Sequence, residues 1–259
     1  MSFNNFAWVI TGGGAHLREC VDVMFYLKKH YNAKITLFLT KWGYEVSRLF
    51  GVLPRLKVIS PGKYYEEFLI GDEGMYYIGR INLRRYKALI IAPATSNTVA
   101  KIVNGIADTI ATALFSQAQK SDVPVIVLPT DIPGEDGLME TEIPCSIDRA
   151  ICMQENCEVC EPMRRCPVKA IERIDGYPRI NYAKCIGCTL CEHVCPYDAV
   201  KCWEKVKLSA VKCWEKVKLR PRPIDVENIN KLSKMDNVFV VNNAQAILNI
   251  IKDIILDSR

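Results

Sequence analysis

Short apolar runs recur along the first 130 residues, and each is followed by a segment whose apolar positions repeat every three or four. The runs at 6–11, 34–40, 56–59, 87–93 and 123–129 read as strands. Between the first two, Leu17, Cys20, Val21, Met24 and Leu27 fall on one helical face. Residues 92–98 carry hydroxyl and amide groups into a helix, and 106–119 reads as a further buried helix. This alternation predicts a parallel sheet covered on both faces. The pattern then stops and resumes only after Pro221 and Pro223, with a helix at 225–235, a strand at 237–241 and a closing helix from Ala244. One strand and two helices cannot bury their apolar faces alone. They are expected to complete the first sheet, which makes 149–220 an insertion into a discontinuous α/β domain, 1–148 plus 221–259.

The insertion carries the chemistry. Eight of the chain's 12 cysteines fall between 152 and 195. Cys185, Cys188, Cys191 and Cys195, followed by Pro196, have the C-x2-C-x2-C-x3-C-P spacing of two-cluster [4Fe–4S] proteins. In that arrangement three cysteines of a run hold one cluster and the fourth crosses to the other. Cys152, Cys157, Cys160 and Cys166, followed by Pro167, form a looser partner run. The expected ligand sets are Cys152, Cys157, Cys160 and Cys195 for one cluster, and Cys185, Cys188, Cys191 and Cys166 for the other. A zinc ribbon would leave half of these thiols idle, and a disulfide scaffold belongs to exported chains. Cys145 and Cys202 read as spare thiols, with Cys145 the substitute should Cys152 not ligate; Cys20 reads as core. His193, inside the second run, is either an exposed residue or a group that tunes a cluster. Residues 152–208 resemble the bacterial-type two-cluster ferredoxin domain.

The decapeptide AVKCWEKVKL occurs at 199–208 and again, unchanged, at 210–219. Its alternation is strand-like, and the first copy is expected to be the strand that follows the second cysteine run. The net charge of +5 is confined to 201–220, where seven Lys or Arg stand against two Glu. So local a patch fits a solvated face or a docking surface better than a nucleic-acid groove. The N-terminus lacks the pattern of a signal peptide, and no apolar stretch reaches the ~18 residues of a membrane span. The expectation is a cytoplasmic protein.

At the carboxyl ends of the predicted strands lie Thr11-Gly12-Gly13-Gly14-Ala15-His16, Thr40-Lys41-Trp42, and the run from Ala92 to Thr98. Ligands bind there in open α/β sheets. A dinucleotide fingerprint needs a third glycine where Leu17 stands, and an acidic residue where Thr40 and Lys41 stand. A monophosphate ligand fits better than NAD(P).

Residues 92–114 resemble the signature of the FMN-binding flavoprotein family that includes phosphopantothenoylcysteine decarboxylase and flavin prenyltransferase. The resemblance implies a Rossmann-like doubly wound sheet of order 3-2-1-4-5-6, and trimers with flavin at the subunit interface. It implies FMN lined by Gly12, Gly13, Ala15, Thr40, Thr95, Ser96, Asn97 and Thr98. Where the decarboxylases carry a catalytic His, this chain has Arg80, which cannot act as a base near neutral pH. Arg80 is either an ion-pair partner or a substrate contact. His16, after the glycine loop, is the other catalytic candidate; its alternative is a first-turn residue with its ring in solvent. A flavin domain with an inserted two-cluster domain is similar to the archaeal dihydromethanopterin reductases and to the related archaeoflavoprotein. That implies an oxidoreductase taking electrons from ferredoxin through two [4Fe–4S] clusters to FMN and on to the C=N bond of a dihydropterin. The alternative is a carrier that delivers electrons to a partner redox protein and has no pterin substrate.

Overall fold

The computed structural model describes residues 4–154, 157–202, 205–207 and 220–256. Its first half winds β1 (Asn5–Ile10), α1 (Leu17–Tyr31), β2 (Lys34–Leu39), α2 (Lys41–Leu49), α3 (Leu53–Ile59) and β3 (Phe68–Ile70). A 3-10 turn at Gly71–Tyr77 and α4 (Gly79–Asn82) lead to β4 (Ala88–Ala94), α5 (Ser96–Val103), α6 (Ile110–Lys120) and β5 (Val125–Pro129). Then come β6 (Glu140–Glu142), β7 (Ser146–Ile147), α7 (Arg149–Gln154), α8 (Glu161–Arg165), β8 (Ile171–Ile174), β9 (Tyr177–Ile180), α9 (Leu190–Val194), β10 (Val200–Lys201) and β11 (Lys205–Lys207). The chain closes with α10 (Pro223–Leu232), β12 (Val238–Val240) and α11 (Ala244–Leu256).

Six strands form one parallel sheet in the order β12-β5-β4-β1-β2-β3. This is the expected Rossmann-like order, with the sixth place taken by the strand from the tail. Both faces are covered, so every residue of β1, β4 and β5 is buried. Successive side chains serve opposite cores. Phe6, Trp8 and Ile10 pack with α1, α3 and α11, whereas Ala7 and Val9 pack with α5 and α6.

Two expected elements differ. Residues 56–59 are the end of helix α3, not a strand; the third strand is Phe68–Ile70. Pro54 opens that helix, where its missing N–H costs nothing. Leu56 and Ile59, three apart, are fully buried, while Val58 is 64% exposed. A four-residue apolar run has no period long enough to separate helix from strand. The second difference is α6, which starts at Ile110 rather than Ile106. Thr109 caps it by accepting from Thr112 N, and Ile106 lies outside it and exposed.

Within the inserted segment β8 and β9 form a hairpin. β10 pairs antiparallel with β7, and β11 with β6, so strand pairing of the insert begins upstream of residue 149. Where one strand is expected after the second cysteine run, the first copy of the repeat supplies two short ones in separate two-stranded sheets. The second copy, 210–219, lies outside the described residues. Among the described residues no helix is long and apolar enough to cross a membrane.

Candidate cofactor sites

At the carboxyl edge of the sheet a cavity of about 390 Å³ is lined by Thr11, Gly12, Thr40, Lys41, Trp42, Thr95, Ser96, Asn97, Thr98, Lys101 and Thr109. Two helices begin at its wall. Thr40 caps α2 by accepting from Gly43 N at 3.0 Å, and Thr95 caps α5 by accepting from Thr98 N at 3.4 Å. Thr11 joins the loops, since its Oγ1 donates to Pro93 O at 2.8 Å and accepts from Thr95 N at 2.9 Å. The first backbone N–H groups of both helices, together with the hydroxyls, make a site suited to a phosphate. Gly12 is required for its shape: a Cβ there would stand 2.8 Å from Trp42 Cβ. The donor set fits the phosphate and ribityl end of a flavin mononucleotide.

Six of the eight residues expected to line FMN therefore meet here. Gly13 and Ala15 do not line this cavity. Gly13 packs against Thr130 and Pro93, and Ala15 is buried. The sequence reading missed Lys101 and Thr109; the signal for Thr109 was its cap spacing to Thr112. Lys101 reaches Asp108 at 2.6 Å.

The two catalytic candidates lie elsewhere. His16, in the left-handed region at φ 61°, meets Glu19 Oε2 through Nδ1 at 3.0 Å. It lines a different cavity, of about 470 Å³, with Thr130, Glu135, Asp136, Met139 and Asn242 among its walls. Arg80 lines neither cavity. Its guanidinium holds both Glu67 oxygens, at 3.0 and 2.9 Å, and donates to Tyr86 Oη at 3.3 Å. The rings of Tyr65, Tyr77 and Tyr64 surround it with centroids 4.6, 4.7 and 5.0 Å away. The geometry is that of an ion-pair partner, and the substrate-contact reading of Arg80 has no support in it.

In the insert the eight cysteines sort into two quartets. Cys152, Cys157, Cys160 and Cys195 line one cavity, between Ile147, Val159, Pro162, Tyr197 and Val200. Cys166, Cys185, Cys188 and Cys191 line the other, with Cys145, Ile171 and Ile180. α8 and α9 pack on each other, and each ends in a cysteine followed by proline, which carries Cys166 and Cys195 across. Burial pushes the Cys152 thiol up, with Cys160, Cys157 and Cys195 adding to it. Cys191 is pushed up to about 11 by burial, and Cys185 and Cys188 add to it. Thiols gathered in this way ionise only with a cation among them, and an iron–sulfur core with thiolate ligands meets that condition.

Cys145 and Cys202 correct the sequence reading. They are joined by a disulfide with S–S 2.15 Å, and Cys202 Sγ lies 4.0 Å from Cys191 Sγ. The cause is register: β7 and β10 pair Ser146 with Lys201, which brings the residues just outside, 145 and 202, opposite each other. Cys145 lines the cavity of Cys191, not that of Cys152, so it is no substitute for Cys152. Cys20 is core, fully buried, with its thiol pushed far up by desolvation. His193 is exposed on α9.

Comparison with known proteins finds two family matches along the chain. The flavoprotein family matches residues 2–140, and the 4Fe-4S binding domain matches 178–201. Over 96% of this chain and all of the relative, the sequence is 36% identical to dihydromethanopterin reductase (acceptor) of Methanosarcina mazei. To the protein of that name from Methanocaldococcus jannaschii it is 37% identical, covering 93% of each chain. The fold is similar to Burkholderia xenovorans DmrB in complex with FMN, described as a cubic protein cage for redox transfer. The TM-score is 0.57 at 23% identity, over 96% of this chain and 93% of that one. The chain belongs to the flavoprotein family, in the group of oxidoreductases named dihydromethanopterin reductase (acceptor), with a 4Fe-4S binding domain inserted in its sequence.

Proposed function

We propose that this chain reduces a dihydropterin, forming tetrahydromethanopterin or a close relative, with electrons from ferredoxin or a similar low-potential donor. Two [4Fe–4S] clusters would handle single electrons, and FMN would convert them to the two-electron chemistry of a hydride. The observation that carries this reading is the sorting of eight cysteines into two separate quartets on a flavoprotein sheet. Cys152, Cys157, Cys160 and Cys195 would hold one cluster, and Cys166, Cys185, Cys188 and Cys191 the other.

The chain's own residues do the positioning. Thr40, Thr95, Ser96, Asn97 and Thr98 would orient the FMN phosphate and ribityl chain at the two helix starts, with Gly12 allowing the close approach. Lys41 and Lys101 bring positive charge to the same wall. We propose further that Gly13 and Ala15 act only by shaping the glycine loop. As the family resemblance implies, flavin sites would be completed by neighbouring copies in an oligomer built from trimers; DmrB is described as a cubic protein cage.

The test is an anaerobic assay with dihydromethanopterin and a reduced donor. Pterin turnover supports the reading. Rapid flavin reduction with no pterin turnover would instead favour a carrier that serves a partner redox protein.

A further inference from the structure

The two cysteine quartets do not stand alike toward the sheet domain. Arg48, near the end of α2, donates from Nη1 to the carbonyl of Cys185 and from Nη2 to that of Tyr182 at 3.0 Å. Glu45 holds the same guanidinium, at 3.1 Å to Nε and 2.7 Å to Nη2, and the Arg48 side chain is only 17% exposed. Two residues beyond Cys185, Gly187 has φ +61°. A Cβ there would collide with the Leu49 carbonyl and stand 2.5 Å from Gly51 N. The loop of the second quartet is thus pressed onto the backbone of residues 49–51. Phe50, between them, packs its ring on the glycine loop, where a Cβ on Gly14 would lie 2.8 Å from Phe50 Cε2. At its other end, about 13 Å away along nine residues of helix, α2 forms the wall of the flavin cavity. On the cavity of the first quartet Val159 and Tyr197 are 59% and 43% exposed, against 39% and 37% for Ile186 and Leu190 on that of the second.

We propose that the loop 185–191 is the exit side of the insert, and that Arg48 is the positioning residue that holds it there. Electrons then enter at the first quartet and leave for the flavin from the second, beside the contact path Gly187, Phe50, Gly14. Each passage moves one electron and makes or breaks no bond. The low-potential donor is oxidised, and two passages with one solvent proton equal the hydride delivered. This inference rests on the proposed function.

The test uses the full chain, anaerobically loaded. Arg48→Ala should keep its iron and flavin, while the rate of flavin bleaching after a light-driven pulse of electrons falls at least tenfold. Arg48→Lys should restore part of it. In the cofactor-free protein, Arg48→Ala should lose hydrogen-exchange protection at 49–51 and 185–187. Cys157→Ser should keep the internal transfer from the remaining iron, and Cys188→Ser should lose it. Should Arg48→Ala shed iron, Gly187→Ala displaces the same loop without replacing a cysteine and is read in the same way. Wild-type bleaching in Arg48→Ala, or in Cys188→Ser, overturns the routing alone. Unaltered protein that holds iron and flavin yet passes no electrons between them overturns the proposed function, and the routing with it.

Discussion

Arg80 and Glu67 form a two-pronged ion pair, with Nη1 to Oε2 at 3.0 Å and Nη2 to Oε1 at 2.9 Å, and their side chains are only 17% and 13% exposed. Thr36 donates to the same carboxylate at 3.0 Å, and Tyr86 links Arg80 back to Thr36. Burial alone would raise the Glu67 carboxyl, but Arg80's hydrogen bonds outweigh it and hold it below the usual carboxylate value. Arg80 is thus part of the packing beside β2 and β4.

Removing one partner leaves the other charge half-buried and unpaired. Glu67→Gln should therefore cost about 2 kcal/mol, less than a fully buried pair. Because the folded carboxyl is depressed, its stabilisation is present above the unfolded value and is lost as pH falls through the folded one. Urea titrations from neutral to acid pH should show the gap between Glu67→Gln and the unaltered protein closing as pH drops. A gap that widens toward acid would contradict the ion pair.

Iron content tests the quartets. Anaerobically prepared protein should carry about eight iron atoms per chain, from two cubane clusters. Cys188→Ser and Cys157→Ser should each lose one cluster and keep the other. Stoichiometric zinc with no iron after reconstitution would defeat the assignment.

Flavin release on denaturation should yield FMN, not FAD. Asn97→Ala, at the start of α5, should weaken retention by about 1 kcal/mol, roughly fivefold in affinity, without lowering the melting temperature. Full retention in this variant would remove Asn97 from the site.

NADH and NADPH should reduce the flavin negligibly, since Leu17 and Thr40 stand where a dinucleotide site needs glycine and an acid. Reduced ferredoxin should act readily, and its rate should fall steeply with salt if the lysines at 201, 205, 207, 212, 216 and 218 steer an acidic donor. Fast direct reduction by NADPH in stopped flow would overturn the donor assignment, and a salt-independent ferredoxin rate would overturn only the docking patch.

Alkylation without reductant, followed by peptide mass mapping, should recover Cys145 joined to Cys202. Cys213 carries the same local sequence in the second repeat, yet the β7–β10 register selects Cys202. Recovery of Cys145 joined to Cys213 would show that the repeat copies exchange places.

The sheet was legible because its strands are buried on both faces, so that local apolar runs such as 87–93 and 123–129 announce them without knowledge of their neighbours. The cysteine quartets were legible because cluster ligation depends on spacing within a short loop. The hydroxyl and amide run of 92–98 leading into a helix is likewise local. What spacing does not carry is how distant segments meet. Residues 56–59 had a strand's composition, and burial of Leu56 and Ile59 on one side made them a helix. Cys145 and Cys202 looked idle until antiparallel pairing, 57 residues apart in sequence, set them side by side. His16 adjoins the glycine loop in sequence, yet a left-handed residue turns the chain so that it lines a different cavity from Gly12. Arg80 found Glu67, and Arg48 found Cys185, through the packing of elements that share no local pattern. Local spacing along the chain determined which groups the protein can hold; tertiary packing decided which residues face them, because a side chain's partner depends on where distant backbone arrives.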